Sequence, residues 1–380
     1  MDLVAGRVYA DERRPIRHLD PTLLLTVLAL SAVGLISIYS ATHQSLRALD
    51  LDVMTFLKKQ VAALILGLIA MLLIATFDYR FFKVYAGLLY AVSVLSLVLV
   101  QVPGIGSTSS GAQRWFALGG FQFTPSEFAK LALILMLSAM LSELKTPTPE
   151  LADVIRACLV AMVPMALVFV QPDIGTSIVL VAIVVGILVV AGTKLWHLLA
   201  LAGTAIVVIL LAFQLGVIKD YQLDRLTGFW DPQRDTQTVN YNREQAEIAI
   251  GAGGLFGRGF LAGTQTNLDF VPEQHTDFIF TVVGEEFGFA GSAIVLTLFA
   301  ILIWRAIRIS YLSKDPFGTY VAAGVASMFA VQMFVNIGMV IGIMPITGIP
   351  LPFVSYGGTA MIANLIAAGL LLNIHMRRFK

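Results

Sequence analysis

The sequence predicts an all-α polytopic membrane protein with ten transmembrane helices. Its 380 residues are 58% hydrophobic and only 13% charged, whereas a soluble domain carries about 25% charged residues. The apolar residues occur in long runs, and about 20 consecutive apolar residues are enough for a helix to cross a bilayer. Both observations exclude an ordinary soluble globular chain.

Ten apolar runs follow one another along the chain, separated by polar or Pro- and Gly-rich segments. The first begins after Asp20-Pro21, a helix-start signal. The sequence shows no convincing internal repeat and no separate soluble domain, so residues 1–380 are predicted to form a single membrane domain. The predicted spans cover residues 22–41, 60–77, 81–102, 125–142, 154–170, 174–191, 195–217, 278–304, 320–343 and 356–375.

The Lys and Arg residues of the tails and short loops predict the sidedness. Ten spans place both termini on one side, and that side carries fifteen Lys and Arg residues against four on the other. Short loops rich in Lys and Arg stay in the cytoplasm, whereas long loops cross regardless of charge. We therefore expect cytoplasmic termini, a cytoplasmic tail over 1–20, and a large extracytoplasmic loop over 219–276, between helices 7 and 8.

Net charge and cysteine content exclude two further classes. A formal net charge of +1 gives no indication of nucleic-acid binding. The single cysteine, Cys158, permits no intrachain disulfide.

The stretch 267–286, NLDFVPEQHTDFIFTVVGEE, holds the highest density of ionisable groups at a predicted membrane boundary. Asp277 stands at the outer end of the eighth span, with Glu273 and His275 just upstream and Glu285 and Glu286 deeper. Carboxylates at membrane depth are costly and are usually functional. Asp277 could serve as a general base toward a hydroxyl group; alternatively, it is a helix N-cap.

A second candidate opens the fourth span. Thr124, Pro125 and Glu127 suit a capping box with proline in the first helical position. Lys130 lies one turn further on the same face of an otherwise apolar helix. Glu127 and Lys130 therefore form either an internal ion pair or a site for a charged head group or a metal-bound phosphate.

Two other polar groups lie at the predicted outer face. Arg114 precedes Trp115 in a Gly- and Ser-rich loop. It is either an interfacial anchor or a phosphate clamp, since arginine matches phosphate oxygens with two parallel hydrogen bonds. Asp173 is favoured as the N-cap of the sixth span.

The long loop contains a glycine-rich segment, residues 243–265. Its first part has the apolar spacing of a short amphipathic helix that lies in the membrane interface. The glycines that follow could present backbone amides to an anion.

Four motifs, in this order, resemble those of the SEDS family (shape, elongation, division and sporulation). They are PSEFAK at 125–130, QPDIGTS at 171–177, GAGGLFGRGFLAGTQTNLDFVPEQHTDFIFTVVGEEFG at 251–288 and PFVSYGG at 352–358. The short tail and the HLDPTLLL start are more similar to the rod-shape branch than to the division branch.

The resemblance implies a bacterial inner-membrane peptidoglycan glycosyltransferase that polymerises lipid II onto a nascent glycan strand during elongation. It identifies Asp277 as the essential aspartate and carries the family motifs onto Arg114, Glu127, Lys130 and Asp173. It also implies a class B penicillin-binding protein, a transpeptidase, as partner within the elongation machinery and among membrane lipids. The expected substrate- and pyrophosphate-binding set is Arg114, Lys130, Glu127, Asp173, His275, Glu273 and Ser355.

On this hypothesis Asp277 deprotonates the acceptor hydroxyl, and undecaprenyl pyrophosphate leaves in a single inverting displacement. A divalent cation, Mg²⁺ or Mn²⁺, near Glu127 could help to stabilise the leaving group, and no organic cofactor is expected. The alternatives are a lipid II flippase or other transporter, and a scaffold that only positions a synthase. The clustering of candidate groups on one face and the absence of an inverted repeat argue against a transporter.

Overall fold

The computed structural model describes residues 18–109, 112–118, 121–146, 148–214, 239–268, 270 and 272–378. Most of these residues are helical. The helices are α1 (Pro21–Ala48), α2 (Thr55–Thr76), α3 (Tyr79–Val84), α4 (Ala86–Leu99), α5 (Pro125–Ser142), α6 (Leu151–Val170), α7 (Ile174–Val190), α8 (Leu195–Gln214), α9 (Val239–Gly253), α10 (Thr264–Asn267), α11 (Ile279–Leu312), α12 (Pro316–Val340) and α13 (Gly358–Met376).

Seven of the described helices are long and apolar enough to cross a membrane: α1, α2, α5, α6, α11, α12 and α13. Three shorter apolar helices, α4, α7 and α8, occupy the remaining predicted spans. Each predicted span therefore contains an apolar helix, while the count of ten crossings stays a prediction. The predicted tail 1–20 and the first part of the loop 219–276 lie largely outside the described residues.

The third predicted span is interrupted near its start. Tyr85 ends α3 and precedes α4, so residues 81–102 do not form one continuous helix. Asp78 caps α3 by accepting a hydrogen bond from the backbone N–H of Arg80, and this short helix turns the chain between α2 and α4.

The prediction of an all-α fold is wrong for the segment before α5. The Gly- and Ser-rich loop contains a three-stranded antiparallel sheet, with β1 (Ser107–Ser109), β2 (Ala112–Leu118) and β3 (Phe121–Phe123) in that order. Phe116 pairs with Phe123 across β2 and β3, and the Phe123 ring stacks on that of Phe128 in α5. This aromatic packing joins the sheet to the membrane helices.

The interior of the bundle is formed by α5, α12 and α13, which are mostly buried, whereas α2, α6 and α11 expose apolar side chains at the periphery. Close packing of α13 on α2 depends on two glycines. A Cβ atom at Gly67 would lie 2.4 Å from a Leu365 methyl carbon, and one at Gly369 would lie 2.8 Å from the Met71 carbonyl oxygen.

Helix α11 is broken at Gly288, whose φ of 65° and ψ of −160° are not helical. At the break, the glycine-rich loop forms backbone hydrogen bonds with α11, both as donor and as acceptor. Arg258 N–H donates to the Glu285 carbonyl at 2.9 Å and Phe289 N–H donates to the Gly254 carbonyl at 2.9 Å. Irregular backbone at membrane depth needs such internal partners, so the loop completes the helix. The predicted helix of the loop is present as α9, and its location in the membrane interface stays a prediction.

The Pro- and Gly-rich segment between α12 and α13, residues 341–357, enters the bundle. A Cβ atom at Gly34, halfway along α1, would lie 2.6 Å from the carbonyl oxygen of Phe353 and 2.8 Å from Cα of Val354. Both of these residues are buried. Residues 341–357 therefore form a re-entrant segment.

The end of the bundle predicted to be cytoplasmic is joined by ion pairs between segments far apart in sequence. Asp20 binds Arg305, Asp315 lies 3.9 Å from Arg80, and Glu143 lies 3.6 Å from Lys83. Burial and the hydrogen bond to Asp315 raise the pKa of Tyr79. These segments, which the sequence assigns to one side of the membrane, do lie at one end of the fold.

Candidate functional site

Asp277 lies at the opposite end of the bundle, one residue before the N-cap of α11. The N-cap position is occupied by Phe278, not by Asp277 as the capping alternative requires. Asp277 is half-buried, and its backbone N–H donates to the Glu273 carbonyl at 3.2 Å. Its own carbonyl accepts a hydrogen bond from Asn336 Nδ2 in α12 at 2.7 Å. The backbone of Asp277 is thus fixed from two directions.

The turn before Asp277 carries Glu273 and His275. Glu273 is exposed and has a φ of 52°, and its carbonyl also accepts the Thr276 hydroxyl at 3.0 Å. The His275 ring packs against Phe56 and Tyr356, with centroids 4.8 and 5.4 Å away. The Tyr356 N–H donates to the His275 carbonyl at 2.9 Å. This aromatic cluster attaches the turn to the re-entrant segment.

Glu127 and Lys130 form a buried ion pair in the first turns of α5. The Lys130 ammonium lies 2.9 Å from Oε1 and 2.8 Å from Oε2 of Glu127. The side chains are only 2% and 8% exposed for Lys130 and Glu127 respectively. The predicted capping box is wrong, because Thr124 makes no side-chain capping bond and Glu127 is directed to Lys130. The internal pair predicted as one alternative is confirmed.

Arg114 projects from β2 onto the turn before α7. Its Nε donates to the Gln171 carbonyl at 2.6 Å, and a terminal nitrogen donates to the Pro172 carbonyl. Its other terminal nitrogen lies 3.8 Å from the Asp173 carboxylate. Asp173 also caps α7, since it accepts from the Thr176 N–H at 3.0 Å. The capping prediction for Asp173 is confirmed, and the ion pair with Arg114 is additional.

Ser355 closes a turn inside the re-entrant segment. Its hydroxyl oxygen accepts the Leu351 N–H at 2.8 Å, and its carbonyl accepts from Gln60 Nε2 in α2 at 3.2 Å. Gln60 Oε1 in turn accepts the Gly357 N–H at 3.1 Å. Ser355 is buried, so in this arrangement its hydroxyl oxygen holds the segment in shape.

The deeper carboxylates of the stretch 267–286 bind parts of the fold. Glu285 is fully buried and accepts the N–H groups of Gln265 at 2.8 Å and Thr266 at 2.9 Å. The Ser40 hydroxyl in α1 donates to Glu286. Among the amides of the glycine-rich segment, those of Gly257 and Gly259 bind backbone carbonyls and that of Gln265 binds the Glu285 carboxylate. Anion binding by the other glycine amides stays a prediction.

The re-entrant segment brings these groups to one end of the bundle. It contacts the turn of Asp277 through Asn336, which also donates to the Ile349 carbonyl at 2.8 Å. It contacts α7 because a Cβ atom at Gly175 would lie 2.6 Å from Ile349 Cγ1. Directly after it, Thr359 accepts the Thr124 N–H at 3.3 Å and so reaches the start of α5.

Sequence reasoning missed Asn336 and Gln60. Both are neutral amides inside apolar helices, and both are fully buried. Their placement in otherwise apolar spans was the available signal, since a buried polar group needs hydrogen-bond partners.

The described residues contain no group of three or more His, Cys, Asp or Glu side chains that could hold a metal ion. The carboxylate of Glu127 is neutralised by Lys130, which is the arrangement of an ion pair and not of a cation site. The assignment of Mg²⁺ or Mn²⁺ to Glu127 stays a prediction.

Comparison with known proteins identifies a family and two similar relatives. Residues 21–380 match the FtsW/RodA/SpoVE family of cell cycle proteins, the SEDS family that the motifs indicate. The chain is similar to the probable peptidoglycan glycosyltransferase FtsW of Trichlorobacter lovleyi, with 38% identity over 95% of each chain. It is equally similar to the peptidoglycan glycosyltransferase MrdB of Escherichia coli K12, with 38% identity over 95% of this chain and 94% of the relative.

Two solved structures share the fold. A structure described as "Structural coordination of polymerization and crosslinking by a peptidoglycan synthase complex" matches with a TM-score of 0.81 and 32% identity, over 95% of this chain and 99% of the other. The rod shape determining protein RodA of Thermus thermophilus matches with a TM-score of 0.70 and 30% identity, over 95% and 98%.

Proposed function

We infer that this chain, which belongs to the FtsW/RodA/SpoVE family of cell cycle proteins, is a peptidoglycan glycosyltransferase. It is a multi-pass membrane protein, and we place it in the bacterial inner membrane. The observation that carries the proposed chemistry is the convergence of Asp277, the Arg114–Asp173 pair and the Glu127–Lys130 pair around the re-entrant segment. A carboxylate for proton transfer and two cations for a phosphate leaving group thereby lie at one end of the bundle, which we propose faces the outer surface of the membrane.

The proposed substrate is lipid II, and its acceptor group is the 4-hydroxyl of the GlcNAc unit. Asp277 would take the hydroxyl proton as general base while the oxygen attacks the anomeric carbon of the lipid-linked glycan. The bond from that carbon to pyrophosphate breaks, and undecaprenyl pyrophosphate leaves with the electron pair. One direct displacement inverts the anomeric centre, so an α-linked donor gives a β-1,4 product without a covalent enzyme intermediate.

The leaving pyrophosphate gains negative charge at the membrane surface. Arg114 and Lys130 would stabilise that charge electrostatically, because fixed cations act strongly where water is excluded. Asp173 and Glu127 hold these two cations in place. His275 and Glu273 in the turn before Asp277, and the buried Ser355 in the re-entrant segment, remain proposed substrate-contacting residues.

We further propose elongation and rod-shape maintenance as the setting, with a class B penicillin-binding protein as the partner transpeptidase. The similarity to RodA and the fold shared with a member of a peptidoglycan synthase complex support this assignment. The equal identity to a division-branch relative keeps cell division as the alternative setting.

Polymerisation of lipid II by the purified chain with its transpeptidase partner tests the proposal, with wild type compared with Asp277→Asn. We expect long glycan strands from the wild type and none from a correctly folded D277N protein. Equal polymer from both would remove Asp277 from the chemistry and would favour a scaffold. Polymer from neither, together with lipid II translocation in vesicles, would favour a flippase.

A further inference from the structure

One buried amide joins the backbone of Asp277 to the re-entrant segment. Asn336 is fully buried in α12, one turn before its end. Its Nδ2 donates to the carbonyl of Asp277 at 2.7 Å and to the carbonyl of Ile349 at 2.8 Å. Because an amide nitrogen has two hydrogens, these two bonds use its full donor capacity.

Ile349, the second residue that Asn336 binds, lies in the part of the re-entrant segment that packs beside the Arg114–Asp173 pair. A Cβ atom at Gly175 would lie 2.6 Å from Ile349 Cγ1 and 2.9 Å from the Thr347 carbonyl oxygen, so this part of the segment rests on the first turn of α7. Asp173, two residues earlier, caps that helix and pairs with Arg114. A continuous path therefore runs from Asp277 through Asn336 to the Asp173–Arg114 pair.

The path matters because the reaction depends on the distance between its two ends. A general base and the groups that stabilise a leaving group must be held on either side of one anomeric carbon. A misplacement of about 1 Å can lower the rate about a hundredfold. Neither Asp277 nor Ile349 lies in a helix, so each depends on contacts such as those of Asn336 for its position.

We propose that Asn336 is a positioning residue for the transferase reaction. It sets the place of Asp277 relative to Arg114 and Asp173 by binding two backbone carbonyls at once. This inference rests on the proposed function of Asp277. Substitution of a positioning residue lowers kcat, because kcat depends on the alignment of the base and the leaving group. Substitution of a residue that is only structural lowers stability alone.

The test uses Asn336→Leu, which removes both donated hydrogen bonds at similar volume. The matched control is Gln332→Leu, one turn earlier in α12. Gln332 is also a buried amide, and it makes no hydrogen bond to either carbonyl. Lipid II polymerisation is measured with the transpeptidase partner present. We expect N336L to lower kcat at least about tenfold with little change in KM, while Q332L stays within about twofold of wild type.

A second readout does not depend on activity. Cys158 is the only cysteine, so Cys158→Ser gives a background on which nitroxide labels at Thr276 and Ile346 report the distance between the turn and the re-entrant segment. We expect N336L to broaden or shift this distance distribution and Q332L to leave it unchanged.

The outcomes separate the inference from the proposed function. A folded N336L protein whose kcat equals that of Q332L overturns the positioning role. Should N336L not fold, Asn336→Ser retains one donor, and we expect an intermediate kcat; a wild-type kcat there overturns the inference equally. If the wild type makes no polymer, the proposed function fails, and an unchanged label distance in the Asn336 variant then overturns the positioning role as well.

Discussion

The ammonium group of Lys130 lies within 2.9 Å of both carboxylate oxygens of Glu127, and both side chains are buried at the start of α5. Removing one partner of a buried pair leaves the other charge uncompensated in a medium of low polarity. On the proposed function, this pairing is what holds the Lys130 ammonium group in place for the leaving phosphate.

This pairing predicts an asymmetry between single and double substitutions. Lys130→Met should destabilise the protein by about 3 kcal/mol or more, because Glu127 is left buried and unpaired. Glu127→Gln combined with Lys130→Met should recover most of the thermal stability and still make no polymer, because the cation is absent. The melting temperature of the purified protein and lipid II polymerisation measure the two effects. A double variant that is less stable than K130M would contradict the buried-pair account.

Arg114 should not be replaceable by lysine. The guanidinium contacts two carbonyls and approaches the Asp173 carboxylate, and an ammonium group cannot reproduce that planar geometry. We expect Arg114→Lys to lower kcat/KM by about tenfold and Arg114→Ala by more. Arg156→Ala serves as the control, because Arg156 is 71% exposed at the opposite end of the bundle. Full activity in R114K would show that charge alone suffices.

Glu285 should control the docking of the glycine-rich loop onto α11. Its carboxylate accepts the Gln265 and Thr266 amides and the Thr266 hydroxyl at 2.8 Å. Glu285→Ala removes these acceptors, so we expect hydrogen exchange of residues 264–268 to accelerate at least about tenfold. Glu244→Ala, at an exposed position in α9, should leave the exchange unchanged. Equal exchange in E285A and wild type would rule out a clamping role.

The break in α11 should tolerate no side chain at Gly288. Its φ of 65° disfavours other residues, and a Cβ atom there would lie 2.3 Å from the Gly257 nitrogen. We expect Gly288→Ala to lower the melting temperature by several degrees, corresponding to about 2 kcal/mol. Gly203→Ala in α8 has open space around it and should be neutral or slightly stabilising. A G288A protein as stable as G203A would contradict the proposed fit of loop and helix.

The sequence by itself determined where the apolar helices lie. Helix α5 covers the predicted residues 125–142 without change, and Asp173 caps α7 as predicted. Hydropathy over a run of residues and the fit of a side chain to its neighbouring amides are local properties, so both can be predicted from short stretches of chain. The motifs were also sufficient to indicate the family, because their order along the chain is itself sequence information.

Only the tertiary structure decided how those stretches meet. The sheet before α5 depends on pairing across strands, and the break at Gly288 depends on a loop about thirty residues earlier that supplies its hydrogen bonds. The sequence could not connect Asn336 with its partners, because Asp277 and Ile349 lie 59 and 13 residues away. The identity of a buried polar group indicates that it needs partners, whereas which partners it binds is set by the folding of the whole chain.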